Sequence, residues 1–111
     1  MKLIVEKVGD VTLVEIGLEN LDASNERAFK QEMSTVLDTE PRVALGLARL
    51  QFVDSSGLGA ILACLRRVNA RGGDLKRYGM TRPVRALFEL VRMHRVFEIY
   101  NSRDEVVESF E

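Results

Sequence analysis

Arg49-Leu50-Gln51-Phe52-Val53-Asp54-Ser55-Ser56-Gly57-Leu58-Gly59-Ala60-Ile61-Leu62 is the stretch from which the rest of the chain is read. Ahead of it Val43 to Ala48 is an unbroken apolar run, as expected of a buried strand. Behind it Leu58, Ile61, Leu62, Leu65 and Val68 recur at helical spacing. Asp54-Ser55-Ser56-Gly57 is therefore the turn between strand and helix. The first N–H groups of a helix lack intrahelical acceptors, and Asp or Ser side chains commonly supply one. Gly57 and Gly59 keep side-chain bulk off the helix start, which predicts that another molecule can approach the backbone closely. Sites in open α/β sheets form outside the carboxyl ends of strands. Ser55 is expected there, exposed and oriented by a helix end.

Upstream, Leu3 to Val8 and Val11 to Ile16 are β-type runs joined by Gly9-Asp10, a two-residue hairpin signal. Thr12, Val14 and Ile16 share one face of the second run, and Val11, Leu13 and Glu15 the other. Asp22 or Ser24 is expected to cap the next helix, whose stripe is Phe29, Met33, Val36 and Leu37 and whose stop is Pro41. Downstream, the helix after Ser55 should run to Gly72-Gly73, followed by a short strand at Asp74 to Tyr78. Thr81-Arg82-Pro83 reads as a cap and first turn ahead of Val84, Leu87, Phe88 and Val91. Val96 to Tyr100 reads as a last strand, and Ser102-Arg103-Asp104-Glu105 as a capping box before Val106, Val107 and Phe110. The expected order is β-β-α-β-α-β-α-β-α. This predicts an α/β fold: a mixed sheet opened by an antiparallel hairpin, with helices packed on it.

A chain of 111 residues is the size of one domain, 1–111, and 46% hydrophobic with 30% charged residues is a globular composition. The single cysteine, Cys64, cannot form an internal disulfide and reads as a small core residue. No apolar run approaches the roughly 20 residues that span a bilayer. Met1-Lys2-Leu3-Ile4-Val5-Glu6 is charged too early for a signal peptide, so a cytoplasmic location is expected. Sixteen Lys or Arg against seventeen Asp or Glu gives a net charge of −1, which argues against direct nucleic-acid binding. From Ile61 to Tyr100 nine basic residues (Arg66, Arg67, Arg71, Lys76, Arg77, Arg82, Arg85, Arg92, Arg95) face three acids (Asp74, Glu89, Glu98). They read as solvated helix faces.

Phe52-Val53-Asp54-Ser55-Ser56-Gly57-Leu58-Gly59, set between an apolar strand and a helix, resembles the signature of the STAS domain in bacterial anti-sigma factor antagonists. Leu21-Asp22 resembles that family's Leu-Asp element. Arg82-Pro83-Val84-Arg85, Leu87-Phe88-Glu89-Leu90 and Val96-Phe97-Glu98-Ile99-Tyr100 resemble its C-terminal half. Where many relatives carry an acidic or amide residue near the end of the central strand, this chain has Gly46. The resemblance implies a STAS-type fold and a regulatory binding protein that is not an enzyme and uses no cofactor. It implies phosphorylation of Ser55 by a partner that is both serine kinase and anti-sigma factor, with a histidine-kinase-like ATPase fold. A metal-dependent serine phosphatase would restore the binding form. Partner contacts would come from Asp22, Asp54, Ser56, Gly57, Leu58 and Gly59.

Other chemistries are weaker. Asp54 reads either as a cap alone or as a group orienting Ser55 for phosphoryl transfer. Ser56 reads as a helix-start hydroxyl rather than a second modification site. A serine hydrolase is disfavoured, because the serines are not in Gly-x-Ser-x-Gly and the one histidine, His94, lies beside Arg92 and Arg95. One His and one Cys make no metal constellation, and Gly57-Leu58-Gly59 lacks the other residues of a nucleotide loop. The alternative within the resembled fold is a scaffold or an accessory subunit of a signalling or lipid-transport complex.

Overall fold

Gly9 adopts a φ of 59°, the left-handed conformation a two-residue hairpin turn demands, and Val8 stands opposite Val11 across it. The computed structural model describes residues 3–90 and 99–110. From this hairpin of β1 (Leu3–Val8) and β2 (Val11–Ile16) the chain passes through β3 (Asn20–Leu21), α1 (Glu26–Thr39), β4 (Arg42–Gly46) and β5 (Phe52–Val53). It continues through α2 (Ser55–Ala70), β6 (Asp74–Tyr78), α3 (Arg82–Leu90), β7 (Ile99–Tyr100) and α4 (Arg103–Ser109). The main sheet has the order β1-β2-β4-β6-β7, antiparallel at β1–β2 and parallel at its other pairings. The expected mixed α/β sheet with a leading hairpin is the fold observed.

The differences lie near the site. β3 and β5 were not expected, and the Val43–Ala48 strand ends two residues early, at Gly46. The two extra strands form a separate parallel pair, with Asn20 opposite Phe52 and Leu21 opposite Val53. Two-residue strands are too short to show alternation, so no periodicity reveals them. Ala48 and Arg49 are an exposed turn, after which the Gln51 and Phe52 N–H groups both donate to the Glu19 carbonyl, at 2.7 and 3.1 Å. Ser55 therefore follows the small sheet and not the central strand directly.

The pleat sorts the apolar residues as the sequence predicts. Val14 and Ile16 join Val43, Leu45 and Leu75 on one face. There they meet Phe29, Met33 and Leu37 of α1, Ile61, Leu65 and Val68 of α2, and Val84 and Phe88 of α3. Each such large side chain contributes about 1.5–3 kcal/mol by leaving water. Val11, Leu13 and Ala44 on the opposite face pack under Val106 of α4. Gly46 faces that side too, and a Cβ on it would lie 2.7 Å from the Tyr78 hydroxyl, so the ring of Tyr78 occupies the space a side chain would need.

The basic run disperses on folding. Lys76 and Arg77 are buried, not solvated. Lys76 Nζ donates to the Ser109 carbonyl and hydroxyl at 3.1 and 3.0 Å, at the end of α4. The Arg77 guanidinium lies 4.4 Å from the centre of the Phe88 ring, and burial pushes its pKa down to about 9, so it stays charged at neutral pH. Arg67 forms a bidentate pair with Asp38, both bonds 2.7 Å, tying α2 to α1. Val91, Arg92, His94, Arg95 and the Val96–Glu98 part of the last expected strand lie outside the described residues.

Cys64 is buried on the core side of α2, and desolvation pushes its thiol up to about 12. The thiolate is the reactive form. Native protein at pH 8 is therefore expected to react with a disulfide reagent at least about a hundredfold more slowly than after denaturation in guanidinium. Comparable rates in the two states would contradict this placement.

Candidate functional site

The turn at Asp54 is built by opposing demands of strand and helix. Asp54 keeps extended backbone angles, φ −94° and ψ −174°, while its carbonyl already accepts the Leu58 N–H at 2.9 Å. Its side chain is the N-cap of α2: Oδ1 accepts the Gly57 N–H at 2.9 Å. Such a cap is worth about 1 kcal/mol. Ser55 and Ser56 are the first residues of the helix, and their N–H groups have no place in its ladder.

A second segment meets this turn. The other Asp54 oxygen, Oδ2, accepts the Ala23 N–H at 3.2 Å, and the Asp54 N–H donates to the Leu21 carbonyl at 3.3 Å. The loop from Asp22 to Asn25 is internally tied. Asp22 Oδ1 accepts the Ser24 N–H at 2.9 Å and its hydroxyl at 2.5 Å, and these bonds, the hydroxyl's first, hold the Asp22 carboxyl below its ordinary pKa. Asn25 accepts the Asp22 N–H and donates to the Asn20 carbonyl, both at 2.9 Å. The expected capping by Asp22 or Ser24 is corrected here. Asn25 is the N-cap residue of α1 and makes no side-chain cap, because its amide is already spent inside the loop.

The two glycines differ. Gly57 is buried, and a Cβ there would stand 2.2 Å from the Leu21 carbonyl oxygen and 2.8 Å from Val53 Cγ1. Its bare face is used by the chain itself, so the expectation of an open approach at Gly57 is corrected to an internal close packing. Gly59 is exposed, and a Cβ there would meet nothing within 4 Å. Ser55 is exposed, Asp54, Ser56, Leu58 and Asp22 are half-buried, and the structure brings all of these together at one end of α2. Phe52, two residues before Asp54, is 54% exposed despite its size. The sequence reading missed it as a surface residue, because β5 is too short for its alternation with buried Val53 to show in the sequence.

This arrangement presents an exposed hydroxyl at a helix N-terminus, between the Asp54 cap and half-buried Ser56 and Leu58. A phosphoryl group on Ser55 would be eased by the helix dipole by a few tenths to about 1 kcal/mol. Among the described residues no group of three or more His, Cys, Asp or Glu could hold a metal ion, and no described helix is long and apolar enough to cross a membrane.

Comparison with known proteins adds the following. The family model described as STAS domain matches residues 2–106. An anti-sigma F factor antagonist of Paenibacillus polymyxa is 35% identical over 60 residues, an alignment spanning 54% of this chain and 51% of that protein. An anti-sigma factor antagonist of Bordetella bronchiseptica is 28% identical over 111 residues, covering 99% of this chain and 95% of its own. Among solved structures, the Bacillus cell fate determinant SpoIIAA in its phosphorylated form superposes with a TM-score of 0.73 at 18% identity, covering 99% of this chain and 100% of that one.

Proposed function

The chain belongs to the STAS domain family, and on that premise we propose that it is a cytoplasmic anti-sigma factor antagonist switched by phosphorylation of Ser55. The unmodified protein binds an anti-sigma factor that is also its serine kinase and thereby releases a sigma factor or other client. Phosphorylated protein does not bind, and a metal-dependent serine phosphatase returns it to the binding form. The observation that carries this reading is the exposed hydroxyl of Ser55 at the first position of α2, directly after the Asp54 cap. Asp22, Asp54, Ser56, Leu58 and Gly59 supply the docking surface in this reading, each half-buried or exposed, and exposed Phe52 precedes Asp54 by two residues.

The chemistry favours a switch without refolding. Phosphate adds about −1.5 to −2 charges at Ser55, next to the Asp54 carboxylate. On the free protein that charge meets water and a helix end; against a packed partner it would be buried without a counter-charge. The protein itself performs no catalysis in this scheme. The test is direct: incubate it with an anti-sigma serine kinase of the histidine-kinase-like ATPase fold from the same organism and ATP, then map the product by mass spectrometry. A single phosphate on Ser55 is expected, lost on treatment with the partner phosphatase. Labelling elsewhere, or none, would overturn the proposal.

A further inference from the structure

We propose that Asp54 is a positioning residue for docking: its carboxylate clamps the Asp22–Asn25 loop to the start of α2, so that the surface around Ser55 is assembled from two chain segments. The proposal rests on the reading of Ser55 given above. As a cap alone, Asp54 would have no advantage over Ser or Asn, which serve about equally well at that position. Two N–H groups converge on it, however: Gly57 N at 2.9 Å on one oxygen and Ala23 N at 3.2 Å on the other. Only a carboxylate offers two acceptors with no donor between them. Asparagine would turn an NH2 against one of those N–H groups, and serine has a single oxygen.

The loop that this bond holds is rigid within itself, through the Asp22–Ser24 and Asn20–Asn25 bonds. Its side-chain tie to α2 is the Ala23–Asp54 bond, between residues 31 positions apart. Releasing that bond should let the loop move as a piece, carrying Ala23 and Ser24 away from Ser55 while leaving the capped helix in place. Asp54 thus acts on the partner through the loop. It does not act on the reacting hydroxyl.

Asp54→Asn and Asp54→Ser both keep an oxygen for Gly57 N and both break the link to Ala23. In the free protein, amide exchange at Ala23 is expected to rise by about tenfold or more, the scale of one lost charge-assisted hydrogen bond, with Ser24, whose N–H keeps its bond to Asp22, and the α2 amides little changed. With the kinase, the KM for either variant is expected to rise by about tenfold while kcat stays within about twofold. Unchanged exchange at Ala23 would overturn the clamp, and needs no kinase to be seen. Raised exchange with unchanged KM would reduce Asp54 to a structural role, and a fall in kcat at constant KM would place it on the serine hydroxyl. Either outcome overturns the proposal. Absence of phosphate on wild-type Ser55 would instead defeat the reading beneath it, leaving the exchange result to stand.

Discussion

Ser55→Asp is expected to weaken binding to the anti-sigma partner about a thousandfold, close to 4 kcal/mol, with no loss of folding stability. Ser55 faces two environments. Toward the protein, a negative charge at the first position of α2 complements the helix dipole, so the melting temperature should be unchanged or slightly raised. Toward the partner, the carboxylate must leave water beside half-buried Leu58 and exposed Gly59, with Asp54 as its nearest neighbour in sequence. Ser55→Ala introduces no charge and should bind as the unmodified protein does while accepting no phosphate. Titration calorimetry with the partner, paired with thermal melts of the three proteins, separates the effects. A Ser55→Asp variant that binds within about threefold of wild type would show that charge at this position does not govern docking.

The largest effect on stability is expected from a single methyl group. Gly57→Ala places a Cβ 2.2 Å from the Leu21 carbonyl oxygen, a backbone atom that cannot swing aside, and 2.8 Å from Val53 Cγ1. Overpacking of this kind costs about 1–3 kcal/mol or more. In a domain of this size that lowers the melting temperature by about 5–20 °C. The displaced atoms belong to β3 and β5, so the loss should be accompanied by weaker partner binding. Gly59→Ala is the control. Its Cβ meets nothing within 4 Å, and alanine is favoured over glycine inside a helix by about 1 kcal/mol, so stability should rise. If the two alanine variants melt together, the contact between α2 and β3 has been misjudged.

The sequence was most legible where several residues voted together. The hairpin turn at Gly9-Asp10, the stripe Phe29, Met33 and Leu37, and the Gly72-Gly73 stop are each repeated or paired signals, and each stands in the structure within a residue or two. Ser102 caps α4 by accepting the Glu105 N–H at 3.2 Å, as the capping-box spacing predicts, although Glu105 returns its bond to the Asn101 N–H. The site was legible as a turn but not as a junction. Nothing local to Asp54 announces that its second oxygen faces Ala23, because that bond depends on β3 lying beside β5, a pairing of two residues with two. For the same reason Gly57 read as a bare patch for visitors, when the atom filling it comes from Leu21. Lys76 and Arg77 misled in the other direction: charge suggested solvent, but β6 lies between β4 and β7 and is covered on both faces, Lys76 by the end of α4 and Arg77 by Phe88 of α3.

The small β3–β5 pair stands outside the hydrogen-bond ladder of the main sheet. Its inward residues, Leu21 and Val53, still join the common core, so the pair is tied to the scaffold by packing and not by the ladder. On the proposed reading, changes at the exposed positions Ala23, Ser24, Phe52 and Gly59 would rewrite which partner is greeted, provided both stretches change in step, while buried Leu21, Leu50, Val53 and Gly57 hold the five-stranded body as it is. Between related chains meeting the same set of partners, such paired divergence would keep neighbouring circuits from speaking to one another.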